Sequence, residues 1–328
     1  MKVGLVLGAG GVTGAAWLIG ALDALAEESG WDPATAHVVV GTSAGAAIAA
    51  LVAGGGLHPG FLVAHAAGEV LHPDWDTERS PGASYQLHRA LPAIGPGSWR
   101  LALGSVRHLD RLPAGAVLAG WLPRGVISTE PLRRLVHGVV PAGWGAHPRL
   151  RVMACDYVTG RRVAFGREDA PPAELADAVA ASCAIPGFYR PVEIGRRPYV
   201  DGGVCSLSNL DVVATEGLDL VLCLNPGSSR APGGGPRATL RAAAGRRLGR
   251  EARRVRAAGA EVVLVQPTAD DLAIMGPNPM SRRRRYEIIA TARRTTAAQL
   301  RHGEGSAALR ALSAAPADDV APPRRRAA

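Results

Sequence analysis

The chain has 328 residues, of which 47% are hydrophobic and 4% aromatic, and its composition is rich in Ala and Gly. This composition excludes a disordered, collagen-like or disulfide-stabilised chain and predicts a globular protein with a sizeable core. The formal net charge is +9, and residues 237–328 carry 19 basic and 8 acidic side chains, so the positive excess lies in the last quarter of the chain.

The first predicted elements alternate between strands and helices. They are a strand from Val3 to Leu7, a glycine loop from Gly8 to Gly14, a helix from Ala15 to Glu28, a strand from His37 to Val40 and a helix from Ala44 to Ala53. This order is typical of a parallel α/β sheet.

Periodicity weakens over residues 54–148, where Pro, Gly and Trp are scattered. We expect a helical insertion that covers one end of the sheet as a lid. Its predicted helices are Gly60 to Val70, Ser84 to Leu91 and Glu130 to Val139.

Core-like patterns return after the insertion. The predicted strands are Leu150 to Ala154, Arg162 to Phe165, Pro198 to Val200, Leu218 to Leu224 and Glu261 to Val265, and the predicted helices are Ala173 to Ser182, Ala238 to Ala258 and Ser281 to Arg301. Gly227 to Pro236 is expected to be a flexible loop, and the basic tail of residues 314–328 is expected to be disordered.

Four cysteines, Cys155, Cys183, Cys205 and Cys223, form no C-x-x-C pair and have no His at metal-ligand spacing. We therefore expect neither a metal site nor a disulfide framework, and a reducing compartment fits. Glycines interrupt the apolar N-terminus, so it is not predicted to be a secretory signal, and no run of about 18 apolar residues predicts a transmembrane helix. We expect a cytoplasmic protein without a cofactor.

The segment from Gly41 to Gly45 is a G-x-S-x-G motif between a predicted strand and a predicted helix. This is the context of a nucleophile elbow, a tight turn with no room for Cβ atoms on either side of the serine. Its hydroxyl projects at a helix N-terminus, where free N–H groups favour developing negative charge. Ser43 is the candidate nucleophile, and a serine that only caps the helix is the alternative.

Two interpretations compete for the glycine loop. A Rossmann-type nucleotide site needs an acidic residue or an arginine at the end of the second strand, where Gly41, Thr42 and Ser43 stand instead. An oxyanion hole needs backbone N–H groups that converge beside a nucleophile. The adjacent elbow favours the oxyanion hole, while a nucleotide site or a plain glycine turn remain alternatives.

A serine nucleophile needs a proton acceptor, and two residues qualify. His302 would complete a triad with Ser43 and Asp201 in the chain order of α/β-hydrolases, but their elbow normally follows several strands. Asp201 directly follows a predicted strand and precedes Gly202 and Gly203, which clear space around it. Strand ends are where α/β sheets place their chemistry, although an Asp-Gly turn is the alternative.

Four segments in this order resemble the patatin-like phospholipase family of serine lipid acyl hydrolases. They are the glycine loop ending at Gly14 and Ala15, the elbow from Gly41 to Gly45, the segment from Ala181 to Gly187, and Asp201 to Gly203. Weaker similarity at Cys155, Asp156 and Ile274 to Gly276 extends the resemblance over most of residues 1–302. It implies a three-layer α/β/α fold with a mostly parallel central sheet, in a domain of residues 1–313.

The resemblance also implies a catalytic dyad without histidine. Ser43 would attack the ester carbonyl, Asp201 would take its proton, and the N–H groups of Gly10 and Gly11 would hold the oxyanion. Asp201 would then activate the water that hydrolyses the acyl-enzyme.

The glycine loop departs from the family at two positions. The family commonly has G-G-G-x-R/K-G, whereas this chain has Ala9 at the first glycine and Thr13 at the basic position. The second departure removes a charge beside the expected oxyanion hole.

We expect hydrolysis of acyl esters in lipids, of the phospholipase A, lysophospholipase or esterase type. Transfer of the acyl group to an alcohol or lysolipid, and a non-catalytic lipid-binding module, are alternatives. The basic clusters from Arg237 to Arg256 and from Arg282 to Arg285 contain no nucleic-acid module, so no nucleic-acid partner is expected. Contact with an anionic membrane surface is the hypothesis for this charge, against a merely arginine-rich composition.

Overall fold

A computed structural model describes residues 1–70, 86–87, 95–107, 112–231, 235–302 and 306–314. The strands are β1 (Val3–Leu7), β2 (Val38–Thr42), β3 (Gln86–Leu87), β4 (Ile127–Ser128), β5 (Leu150–Asp156), β6 (Arg162–Phe165), β7 (Val192–Ile194), β8 (Arg197–Asp201), β9 (Leu220–Leu224) and β10 (Glu261–Val265). The helices are α1 (Gly11–Ser29), α2 (Ala44–Ala49), α3 (Pro59–Ala67), α4 (Trp99–Arg107), α5 (Ala114–Trp121), α6 (Glu130–Val139), α7 (Leu175–Ser182), α8 (Gly235–Ala257), α9 (Ala269–Met275), α10 (Arg285–His302) and α11 (Ser306–Ala314).

A mixed sheet organises the molecule, with strand order β10-β9-β1-β2-β5-β8-β7 and β6 paired with β5. The strands β10, β9, β1, β2 and β5 run parallel, as their buried, mostly apolar sequences favour. Leu7 pairs with Gly41, so the glycine loop after β1 and the elbow after β2 leave neighbouring strands at the same level.

Helices cover both faces of this sheet because successive side chains of its central strands point to opposite sides. Leu5 and Leu7 of β1 join one core cluster with residues of α1, α2, α7 and α10. Val6 joins a second cluster with Leu248 and Val255 of α8. The expected three-layer α/β/α fold with a mostly parallel sheet is confirmed.

Several predicted elements have the observed bounds, namely Val3–Leu7, Arg162–Phe165, Glu261–Val265 and Glu130–Val139. The predicted start of the first helix was wrong, since α1 begins at Gly11, whose φ of +65° lets the chain turn into the helix directly. The second helix is α-helical only to Ala49 and continues as a wider π-helical turn over Ala50–Gly54.

Two predictions fall largely outside the described residues. Of the predicted helix from Ser84 to Leu91, the structure describes only Gln86–Leu87, which form β3. Of the predicted tail, it describes only Ala314, the last residue of α11.

The strand that carries Asp201 runs in the direction opposite to that of the neighbouring strand β5. β8 is antiparallel to β5, so its direction alone would carry its end away from the edge where the parallel strands end. Asp201 reaches the level of the elbow because β8 stops opposite Ala154, two residues before β5 ends at Asp156.

Among the described residues, no single helix has both the length and the apolar composition needed to cross a membrane. The helix pair Ala44–Gly54 and Pro59–Ala67 meets that test only when both are taken together, across a bend of 116°.

Candidate active site

Ser43 sits in a sharply constrained turn between β2 and α2. Its φ of 53° is positive, which is uncommon for a residue with a side chain. A Cβ atom at Gly41 would lie 2.6 Å from the Cα of Ala46, and one at Gly45 would lie 2.1 Å from the carbonyl oxygen of Leu7. Both flanking positions therefore require glycine, and the backbone fixes where the Ser43 hydroxyl points.

Two buried polar side chains hold this turn from outside. The backbone N–H of Ser43 donates to the Oγ of Ser182 at 2.8 Å, and that hydroxyl donates to the carbonyl oxygen of Met153 at 2.6 Å. The amide of Asn209 donates to the Oγ1 of Thr42 at 3.0 Å. Sequence reasoning assigned no role to Ser182 or Asn209, and the only signal for Ser182 was its place in a family-like segment.

Asp201 lies in direct contact with Ser43. The Ser43 hydroxyl donates to Asp201 Oδ2 at 2.6 Å, and the Gly203 N–H donates to Oδ1 at 2.6 Å. Ser43 is 4% exposed and Asp201 is 5% exposed. Burial raises the pKa of the Asp201 carboxyl from 3.8 to about 6, while the two hydrogen bonds act in the opposite direction.

The glycines after Asp201 allow close backbone approach. A Cβ atom at Gly202 would lie 2.3 Å from the carbonyl oxygen of Met153, and one at Gly203 would lie 2.9 Å from Asp201 Oδ1. The chain can therefore turn away after β8, with Gly202 packed against β5 and Gly203 beside the Asp201 carboxylate.

His302 does not lie near Ser43 and Asp201. It is exposed at the end of α10, and the preceding Arg301 donates to Glu28 Oε2 at 2.7 Å. Glu28 lies near the far end of α1, about 25 Å from the glycine loop at a rise of about 1.5 Å per residue. The structure therefore does not assemble the alternative triad.

The glycine loop leaves free N–H groups beside Ser43. Gly8 donates to Leu224 O at 2.9 Å, and Ala9 donates to Leu207 O at 2.7 Å. Within the described residues, the N–H groups of Gly10 and Gly11 have no protein acceptor. Both glycines line the same cavity as Ser43 and Asp201, so these donors are free to bind a negatively charged oxygen there.

Steric contacts explain why the loop is rich in glycine. A Cβ atom at Gly8 would lie 2.1 Å from the Asn225 side chain, at Gly10 2.7 Å from Pro226, at Gly11 2.7 Å from Pro279 O, and at Gly14 3.2 Å from Pro226. The loops after β9 and α9 therefore press directly on the glycine loop.

Two cavities open on Ser43. The larger has a volume of about 740 Å³ and extends past Asp201 to the first turns of α8. The smaller has a volume of about 160 Å³ and includes Ala47, Leu132 and Cys183. Gly11, Ser43, Ile185 and Met280 line both cavities, so the candidate nucleophile stands at their junction.

The remaining chemistry-bearing groups suggest no metal site. In the described part of the chain, no three His, Cys, Asp or Glu side chains are grouped so that they could hold a metal ion. All four cysteines are free thiols, and burial raises the pKa of the Cys183 thiol beside the smaller cavity.

The chain matches a family model over most of its length. A family model described as patatin-like phospholipase matches residues 5–214. This range contains the glycine loop, the elbow, the Ser182 segment and Asp201.

Proposed function

The chain belongs to the patatin-like phospholipase family, whose members are lipid acyl hydrolases, and we propose that it cleaves acyl esters through a dyad of Ser43 and Asp201. The observation that carries this proposal is the 2.6 Å hydrogen bond from the Ser43 hydroxyl to the buried Asp201 carboxylate. The free N–H groups of Gly10 and Gly11 on the same cavity support it.

In the first half of the proposed reaction, Ser43 Oγ bonds to the ester carbonyl carbon while its proton passes to Asp201. The carbonyl oxygen becomes an oxyanion that accepts hydrogen bonds from Gly10 and Gly11. When the intermediate collapses, the bond to the leaving oxygen breaks, and Asp201 returns the proton to the departing alcohol.

In the second half, Asp201 takes a proton from water, whose oxygen bonds to the acyl carbon. Collapse releases the fatty acid and returns the proton to Ser43 Oγ. A carboxyl group with a pKa of about 6 is mostly ionised at neutral pH, so it is available as the base in both halves.

A fluorophosphonate probe tests this proposal directly, because its reaction requires an activated serine, a base and an oxyanion hole together. We expect stoichiometric labelling of the wild-type protein and none of Ser43→Ala. Absence of labelling in a folded wild-type protein, checked by circular dichroism, would contradict the proposal.

Residues 1–313 form one acyl hydrolase domain in this proposal, with the insertion of residues 54–148 shaping the substrate site. Ser128, Thr129, Pro131 and Leu132 of the insertion line the smaller cavity together with Ser43. This contact supports the view that the insertion contributes to recognition of the acyl group.

Peripheral contact with an anionic membrane is a further part of the proposal. Arg282 to Arg285 are all exposed, and Arg282 also lines the smaller cavity. Each basic side chain near an anionic surface contributes about 1 kcal/mol of attraction. Because Arg282 lines the smaller cavity, membrane contact through these four arginines would place that cavity next to the lipid.

Sedimentation with phosphatidylcholine vesicles, with and without phosphatidylglycerol, tests this contact. We expect binding only to the anionic vesicles, weakened by salt and by replacing Arg282 to Arg285 with Gln. Equal binding to both vesicles, or none to either, would contradict it.

A further inference from the structure

The larger cavity has two arginines at the end formed by α8. We propose that Arg237 and Arg241 are specificity-determining residues that bind a phosphate group on the leaving alcohol of a glycerolipid. This inference rests on the proposed acyl hydrolase function and narrows it.

Both arginines line the cavity that contains Ser43 and Asp201. They lie four residues apart in the first turns of α8, so their side chains leave the same face of the helix. Arg241 donates to Pro226 O at 3.0 Å, and Arg237 donates to Pro277 O. These backbone carbonyls hold the two guanidinium groups at the cavity.

Neither arginine has a carboxylate partner among the described residues. Further along α8, Arg247 pairs with Glu251 at 3.2 Å, and Arg254 pairs with Asp211 at 3.5 Å. Burial lowers the pKa of Arg241, and the neighbouring charge of Arg237 lowers it further. Two like charges in a partly buried cavity repel each other, and a bound anion removes that repulsion.

The chemistry of the pair favours phosphate. A guanidinium group has five N–H donors in a planar fork that matches phosphate oxygens, and each arginine uses only one nitrogen on its backbone carbonyl. The cavity of about 740 Å³ has room for a glycerol phosphate between these groups and Ser43. The acyl chain then lies in the smaller cavity, which has a volume of about 160 Å³. An engineered apolar protein cavity of about 150 Å³ is large enough to bind benzene.

The test compares two water-soluble substrates, monomeric dihexanoyl phosphatidylglycerol and p-nitrophenyl hexanoate, which has no phosphate. For the double variant Arg237→Gln, Arg241→Gln, we expect the ratio of kcat/KM for the phospholipid to kcat/KM for the p-nitrophenyl ester to fall about tenfold or more. The ratio keeps its meaning even if the variant is somewhat destabilised, because both substrates meet the same folded enzyme.

Arg246→Gln, Arg250→Gln is the matched control. These arginines have the same spacing on the same helix, are exposed, and have no ion pair with a described residue. Each lies nine residues beyond its counterpart, which at about 3.6 residues per turn places it on the opposite side of α8. We expect the control to keep the wild-type ratio.

An unchanged ratio in the first variant, or an equal fall in the control, overturns the inference. Hydrolysis of the p-nitrophenyl ester but not of the phospholipid by the wild type overturns it while leaving the proposed function intact. Hydrolysis of neither contradicts the proposed function itself. Inorganic phosphate and sn-glycerol 3-phosphate are also compared as inhibitors of ester hydrolysis. Equal inhibition by the two, seen in the wild type and lost in the double variant, indicates a site for free phosphate and overturns the lipid assignment.

Discussion

The backbone N–H of Ser43 donates a hydrogen bond to the hydroxyl of Ser182, 139 residues further along the chain. The same hydroxyl donates to Met153 O on β5, so one side chain joins the elbow to the end of α7 and to the sheet. The position of the candidate nucleophile therefore depends on a residue that lies outside the elbow motif.

Replacing Ser182 with Ala should lower kcat for p-nitrophenyl hexanoate about tenfold with little change in KM, because the elbow loses its anchor while the cavities keep their lining. The unpaired Ser43 N–H and Met153 O should also cost about 1–3 kcal/mol of unfolding free energy. Steady-state kinetics and urea titration measure the two effects.

Ser29→Ala is the control for this substitution. Ser29 is also a buried serine at the end of a helix, and its Oγ likewise accepts from a backbone N–H, of Trp31, and donates to a carbonyl, of Leu25. It should lose similar stability and keep kcat. Equal kcat values in both variants would show that Ser182 has only a structural role.

Ser43→Ala and Asp201→Asn should each abolish ester hydrolysis, since one removes the nucleophile and the other the base. His302→Ala should keep nearly full activity, because His302 is exposed at the far end of α10. Hydrolysis rates at pH 8 measure all three. Full activity of Asp201→Asn, or loss of activity in His302→Ala, would refute the dyad.

The pH dependence of kcat/KM should follow the ionisation of Asp201. The base acts only as the carboxylate, so kcat/KM should fall tenfold per pH unit below the pKa of about 6 and level off above it. Rates between about pH 4 and pH 9 with a non-ionising ester measure this curve. A midpoint near 3.8, the ordinary value for Asp, would show that burial does not control the base.

Stability should depend on Asp201 in the opposite sense from activity. Its folded pKa of about 6 lies above the ordinary 3.8, so the folded state binds the proton more tightly and loses stability as pH rises through this interval. The loss is roughly 3 kcal/mol once both states are ionised. Asp201→Asn should thus exceed the wild type in unfolding free energy near pH 8 and lose this advantage near pH 4. Urea titrations at the two pH values measure it, and an advantage independent of pH would contradict the assignment.

Gly45→Ala should destabilise the protein by about 2 kcal/mol or more, although alanine ordinarily favours a helix. The added Cβ would lie 2.1 Å from Leu7 O, so β1 and α2 would have to separate. Gly249→Ala in α8 is the matched control, because its Cβ would have no neighbour closer than 3.9 Å. That control should gain up to about 1 kcal/mol. Thermal unfolding compares the two variants, and similar stability would refute the close contact.

Local sequence predicted the parts of the site that depend on local backbone geometry. Gly41 and Gly45 mark the elbow because its backbone excludes Cβ atoms, and such a restriction is visible in a short segment. Ser182 and Asn209 could not be predicted in the same way, since their roles arise only when distant segments meet. An isolated buried serine has no distinctive neighbours.

The direction of the strands and the shape of the cavities could not be predicted from the sequence either. A short segment such as Pro198 to Val200 indicates a strand but not whether it runs parallel or antiparallel. The smaller cavity combines Leu132 of the insertion with Met280 of the loop before α10, and no local pattern relates those segments. Asp201 was a candidate base from its place between a predicted strand and two glycines, and the family resemblance favoured it over the alternatives of a triad with His302 and a plain Asp-Gly turn.

The part of the chain that matches the family model is shorter than the part that must fold together to form the sheet. The family match ends at residue 214, yet β1 has β9 as one of its two neighbours, and β9 begins at Leu220. A Cβ atom at Gly20 of α1 would lie 2.2 Å from Ile289 O, so α10 packs backbone against backbone on the helix that follows the glycine loop. A fragment that ends at residue 214 would lack β9 and β10. β1, which lies inside the full sheet, would then become an unpaired edge strand. Expression boundaries for this protein should follow the strand order rather than the limits of sequence similarity.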